Sequence, residues 1–202
     1  MNGPGPVDTS RMSDSLPDMD LRDHFLISMP QLADRNFVQT LTYICDHSAQ
    51  GAMGLVINRP LELTLNEMLE HLDFTHDELP QGEMPIYAGG PVQVERGFVL
   101  HSPTAQQWTS SYAIHDRLSL TTSLDILQAI ARGDGPQRQL IALGYAGWGA
   151  GQLEREISEN SWLSCPADLD IIFATQAEER LAAAASKLGV DLRLLSTDAG
   201  HA

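Results

Sequence analysis

In this chain of 202 residues, the side chains best placed to do chemistry cluster between Gly144 and Asn160. Gly144-Tyr145-Ala-Gly147-Trp148-Gly149-Ala-Gly151 puts four glycines in eight positions. Glycine permits a positive φ or a close backbone approach. Gln152-Leu-Glu154-Arg-Glu156 follows and reads as a helix start, whose unpaired N–H groups can hold an anion. Glu154 and Glu156 are two apart and point to different helix faces, so they make no obvious acid–base pair. Glu156 and Asn160 are one turn apart and could share a face with Gln152. Two readings stay open. The glycines make a tight strand-to-helix crossing with Tyr145 and Trp148 packed into a core, or they form a ligand or partner surface.

Other constellations are thinner. Cys45-Asp-His47 places a thiol and an imidazole on one strand face, but Cys45 has no recognisable base beyond that neighbour. Glu67 and His71 lie one helical turn apart. Neither cluster supplies three or four ligands at zinc spacing, so no metal site is expected. There is no P-loop sequence, and Lys187 lies far from any glycine loop. The glycine spacing G-x-x-G-x-G-x-G is not the dinucleotide fingerprint, so no cofactor is expected. No G-x-S-x-G occurs.

Charge removes further classes. Twelve basic against 27 acidic residues give a net charge of −15. The single lysine and scattered arginines offer no stripe to displace counterions from duplex DNA, so direct nucleic-acid binding is not expected. An anionic membrane would repel the chain on average. No apolar run has the roughly 20 residues of a membrane span. Leu61 to Glu83 carries seven acidic residues without Lys or Arg. It reads as a solvated face, or as a docking face for a basic partner. Two cysteines, Cys45 and Cys165, make no disulfide framework, and no signal peptide is evident. The expected compartment is the cytoplasm, with both thiols reduced.

The elements that must position these residues follow from periodicity. His24 to Met29, Gln39 to His47 and Ala52 to Asn58 read as strands, the last two as a hairpin. Thr64 and Glu67 form a capping box before Leu65, Met68, Leu69 and Leu72 at helical spacing. Pro85 to Ala88 and Gly97 to Leu100 read as strands around a Gly89-Gly90-Pro91 turn. Tyr112 to Leu120 reads as one strand and Ser123 to Ala131 as a helix with Gly133 past its end. Gln139 to Tyr145 is a strand entering a glycine loop. Gln152 to Glu159 is helical, Asp170 to Ala174 a strand, Ala177 to Leu188 a helix, and 190–195 an edge strand. Strands come first and mixed elements later, without regular βαβ alternation. The expected class is α+β: one domain over 21–196, a Gly/Pro-rich disordered tail at 1–20 and a short tail at 197–202.

His24-Phe-Leu-Ile-Ser-Met-Pro30, Tyr43-Ile-Cys-Asp-His47, Gly51-Ala-Met-Gly-Leu-Val-Ile-Asn-Arg-Pro60, Gly89-Gly-Pro-Val92 and Gly144 to Glu154, with Asn160 and Trp162 beyond, together resemble the motifs of the bacterial YqgE/AlgH family. The resemblance covers roughly 21–195. It implies a mixed or antiparallel sheet with a small closed barrel, flanked by helices. It implies little about activity; an AlgH branch is linked to transcriptional regulation and alginate production. The expected function is regulation or interaction through a surface site with a protein partner or small anionic ligand. The expected site joins Asn58, Arg59 and Pro60, Gly89, Gly90 and Pro91, and Tyr145, Gly147, Trp148, Gly149, Gly151, Gln152, Glu154, Glu156 and Asn160. The rival expectation is an enzyme for a small anionic substrate, with Arg59 as clamp and Glu154 or Glu156 as base.

Overall fold

A computed structural model describes residues 20–75 and 79–191. The expected tails, apart from Asp20, lie outside the described residues, as do Asp77 and Glu78 of the acidic run and 192–195 of the expected edge strand. The described chain runs β1 (His24–Ser28), a 3-10 turn (Arg35–Phe37), β2 (Leu41–Ser48), β3 (Gly51–Val56), β4 (Pro60–Thr64), α1 (Leu65–His71), β5 (Pro85–Ala88), β6 (Val92–His101), β7 (Ser111–His115) and β8 (Leu118–Thr121). It continues through α2 (Leu124–Ala131), β9 (Gln139–Gly149), α3 (Gln152–Ser158), β10 (Trp162–Pro166), α4 (Leu169–Phe173) and α5 (Ala177–Lys187).

The strands form one curled sheet in the order β10-β1-β2-β3-β9-β6-β8-β7. All neighbours on this path pair antiparallel. β5 pairs parallel with β9 and carries β4 on its other side. The expected closed barrel is not formed: the sheet is an open half-barrel with five helices packed around it, and β7 and β10 are its unjoined edges among the described residues. Side chains cross from β7 to the start of β1. His115 Nδ1 accepts from the Arg117 amide, and its Nε2 stands 3.2 Å from Asp23 Oδ1, which also accepts from the Tyr43 hydroxyl. No ladder forms between β7 and β1 because both edges of β1 are already paired, with β10 and with β2.

The strands bury both faces, which is why Phe25-Leu-Ile and Leu140-Ile-Ala are unbroken apolar runs. On the inner face Phe25, Tyr43, Leu55, Phe98 and Leu140 pack with Ile172 of α4 and Ala184 of α5. On the outer face Ile44, Trp148 and Trp162 pack with Leu153 of α3, and Val99 and Ile141 pack with α1 and α2. The Thr64/Glu67 capping box is present at α1.

Several local expectations are corrected. Asp170 to Ala174 is not a strand but most of α4, with Asp168 as N-cap accepting from the Asp170 amide. A short apolar run carries no period to separate the two forms. Tyr112 to Leu120 is two strands, folding back between His115 and Leu118. Gly89-Gly90-Pro91 does not close a hairpin, because β5 and β6 lie on opposite sides of β9. β9 does not stop before the glycines; it runs to Gly149, where Gly147 pairs with Met53 and Gly149 with Gly51 of β3. β4 and β10 were unforeseen. Val190, where an edge strand was expected to begin, is outside any strand.

His101 at the end of β6 is 2% exposed and donates through Nδ1 to the Ser102 carbonyl, while Nε2 accepts from Thr121 Oγ1. Burial lowers its pKa below 6.5. The unfolded chain therefore binds the extra proton first. Its contribution to stability is complete above about pH 6.5 and is lost as pH falls through that value towards the folded-state pKa. Urea unfolding between about pH 7 and 5 should show falling stability, and His101→Gln should flatten the slope. An unchanged slope contradicts the assignment.

Candidate functional site

Two β-bulges shape the site. In β2, Ile44 pairs with Gly54 and Asp46 with Met53, so Cys45 is an extra residue. A bulge re-aims the side chains beyond it. Cys45 packs in the inner core, whereas His47 points outward, accepting at Nδ1 from the Leu21 amide and meeting Glu154 Oε1 through Nε2 at 2.9 Å. The expected shared face for Cys45 and His47 is thus lost. In β6 the register jumps between Val92 and Gly97, opposite Tyr145 and Leu143, so Gln93 to Arg96 bow out over Gly144. Gln93 takes a positive φ of 51° within this loop of strand.

Between the bulges lies a groove of about 660 Å³. Asp46, Ser48 and Met53 form one wall, Arg96, Phe98 and Thr122 the other, and Tyr145 and Gly147 of β9 the floor. Its volume suits a small-molecule site. Phe98 and Tyr145 meet with ring centroids 5.5 Å apart. The Arg96 guanidinium lies 5.5 Å over the Phe98 ring, donating to Thr122 Oγ1 at 3.0 Å and Gln93 Oε1 at 3.3 Å. Among the described residues no Asp or Glu pairs with Arg96. A guanidinium held flat by an aromatic ring and two neutral acceptors keeps donors for an incoming anion.

Several other expected site residues serve packing, although Trp148 also lines the groove. Asn58 accepts from the Leu41 amide and donates to the Gln39 carbonyl. Arg59 donates to the carbonyls of Asn36 and Val38. Both residues hold the segment that presents Phe37. The Phe37 ring stacks on Trp148 at 6.1 Å and meets Trp162 edge-on at 5.5 Å. Glu156 completes the knot: Oε2 accepts from the indole N–H of Trp148 at 3.0 Å and of Trp162 at 2.8 Å, and Oε1 from Gln152 Nε2 at 2.9 Å. Gln152 also caps the end of β9 by accepting from the Gly149 amide. Asn160, with a positive φ of 58°, ends the α3 segment, and its carbonyl accepts from Gln31. Gly151 is the left-handed N-cap of α3. Pro60 stands apart, beside a smaller pocket under α5.

The residues of the rival catalytic set each have structural partners. Arg59 lies on two carbonyls, Glu156 on two indoles and Glu154 on His47, and none of the three lines the groove. The Cys45 thiol is fully buried, and burial raises its pKa far above the ordinary value, so it is held as the thiol. Among the described residues, no three His, Cys, Asp or Glu side chains gather as metal ligands. Sequence reasoning missed Arg96, Gln93, Phe98 and Asp46. Val92-Gln-Val-Glu-Arg-Gly97 carries both signs and exposed valines, but nothing in it says that a bulge will turn Arg96 over Phe98.

The model of a family described as AlgH-like matches residues 25–193. A UPF0301 protein of Thioalkalivibrio sulfidiphilus is 57% identical over 180 residues, covering 89% of this chain and 96% of its own length. One from Nitrosospira multiformis is 54% identical over 184 residues, covering 91% and 98%. The solution structure of the AlgH protein from Pseudomonas aeruginosa superposes with a TM-score of 0.75 at 54% identity, covering 95% of this chain and all of that one. A crystal structure from Corynebacterium diphtheriae, at 19% identity and TM-score 0.67, covers 88% and 92% and shares the fold.

Proposed function

On the premise that the chain belongs to the AlgH-like family, we propose that it is a small-ligand-binding interaction protein, which exerts any regulatory effect through its groove and not by contacting DNA. The observation that carries this reading is Arg96, fixed over Phe98 at the groove wall with no carboxylate partner among the described residues. The occupant is an anion with an apolar or aromatic body: the charge meets Arg96 and the body lies along Phe98 and Tyr145. Any link to transcription or alginate production by family resemblance is then indirect. The acidic balance supports this, since it offers no basic surface for a duplex.

The test titrates the protein with aromatic and aliphatic carboxylates and with phosphate monoesters, read by tyrosine and tryptophan fluorescence. Arg96→Ala should leave the melting temperature unchanged, because the side chain is exposed. It should weaken binding by roughly 10- to 100-fold, the worth of a charge-assisted hydrogen bond. Equal affinity in Arg96→Ala, or no saturable binding by any of these anions, overturns the proposal.

A further inference from the structure

A second cavity, of about 250 Å³, lies under the turn between α4 and α5, remote in sequence and lining from the groove. We propose that it is a separate binding site, for a small organic carboxylate that also carries a hydrogen-bond donor, such as a 2-hydroxy acid. The basis is two unmet needs in one cavity.

The first is a buried cation. Arg180 is only 6% exposed. Its guanidinium donates through Nε to the Thr175 carbonyl at 3.0 Å and through Nη1 to the Ile57 carbonyl, and it lies 4.9 Å over the Tyr87 ring. Among the described residues no Asp or Glu forms an ion pair with it. Two carbonyls and a ring use part of the five-donor fork, and the one carboxylate in the cavity lining, Glu178, is exposed and acts on Arg180 without forming an ion pair. Burial accordingly lowers the Arg180 pKa. A buried charge whose only nearby carboxylate in the cavity lining is solvent-exposed and unpaired with it stays costly.

The second is a buried acceptor. Gln139 at the start of β9 is 9% exposed, and its Oε1 is fully buried with no hydrogen-bond partner among the described residues. Among the described residues its Nε2 reaches only Met84 Sδ, at 3.9 Å. Gln139 and Arg180 line the same cavity, between apolar walls from Pro60, Ile172 and Phe173. Water can satisfy Gln139, but it cannot neutralise Arg180. One molecule with a carboxylate at one end and an O–H or N–H beside it meets both needs. The volume corresponds to about eight waters at ~30 Å³ each, which limits the guest to a small acid and excludes a nucleotide.

The experiment uses the full chain and three probes of similar shape: 2-hydroxyisovalerate, isovalerate, which lacks the donor, and isovaleramide, which lacks the charge. Melting temperature and amide chemical shifts around Gln139 and Thr175 are the readouts. 2-Hydroxyisovalerate should bind saturably and at least roughly tenfold more tightly than isovalerate, and isovaleramide should not bind measurably. Gln139→Met conserves volume and removes the acceptor, so it should erase the preference for the hydroxy acid while leaving a folded protein. Arg180→Gln should abolish binding of both acids, and the Gln139→Met result stands even where that variant fails to fold. The proposal is overturned if no acid binds saturably, or if Gln139→Met keeps the preference. It is equally overturned if acid binding is lost in Arg96→Ala and retained in Gln139→Met, since the acid then occupies the groove.

Discussion

Gly90→Ala should abolish the native fold. Gly90 has a φ of 154°, and a Cβ there would fall 2.1 Å from the Tyr145 carbonyl carbon. That neighbour is backbone, so nothing flexible can yield. Gly90 lies where the chain leaves β5 and passes β9 to begin β6. Just before it, the Gly89 carbonyl accepts from Val56 while its amide donates to Leu143, tying β3 to β9. Opening this junction separates the sheet at its central strand. The expected loss exceeds about 4 kcal/mol, in the range of a domain's whole stability. Gly151→Ala is the comparator. Its φ of 68° is also left-handed, but its Cβ would meet nothing within 4 Å. Only backbone strain remains, about 1–2 kcal/mol. Soluble Gly90→Ala protein with a melting temperature within about 4 °C of the parent, worth ~1 kcal/mol at this size, contradicts the junction described here.

Glu156→Ala is the second large effect. The substitution removes the acceptor of two indole N–H groups and one amide N–H at a single stroke. Trp148 and Trp162 are buried, so their donors find no water. An orphaned buried donor costs about 1–3 kcal/mol. Gln152 is half-buried and can turn to solvent, so the total should be about 3–5 kcal/mol by urea unfolding. Glu156→Gln keeps one carbonyl oxygen and should cost about half as much. Glu154→Gln still accepts from His47 Nε2 and should change stability by less than about 0.5 kcal/mol. Equal losses for Glu154→Gln and Glu156→Ala would show that the indoles do not depend on Glu156. The change should also alter tryptophan fluorescence, because Trp148, Trp162 and Phe37 form one aromatic cluster.

The glycine-rich stretch shows how far a motif reads. Four glycines after an apolar strand suggest a loop, with strain to be expected at Gly147 and Gly149. Neither has a positive φ, and a Cβ on Gly149 would meet only Gln152 Oε1 at 3.8 Å. They are strand residues facing β3. Demanding positions include Gly51, opposite Gly149 on β3, and Gly90 and Gly144, whose backbones touch across the junction. Sequence separation hides that contact, because it joins segments more than fifty residues apart.

Local chemistry was legible wherever its partners are neighbours in the chain. The Thr64/Glu67 capping box, the alternation of Leu41, Tyr43 and Cys45 on β2, and the divergent aims of Glu154 and Glu156 need only three or four residues to decide them. The motif set also carried the family and the mixed, mainly antiparallel architecture. The tertiary structure alone decided three things. It left the half-barrel open, because edge pairing depends on where strands from distant segments end. It turned Asp46 and Arg96 into the groove, because a bulge is a mismatch between two strands and has no existence in one of them. It set Arg59 against two backbone carbonyls and Glu156 against two indoles, because these partners are brought to them only when the sheet curls and its outer face is covered.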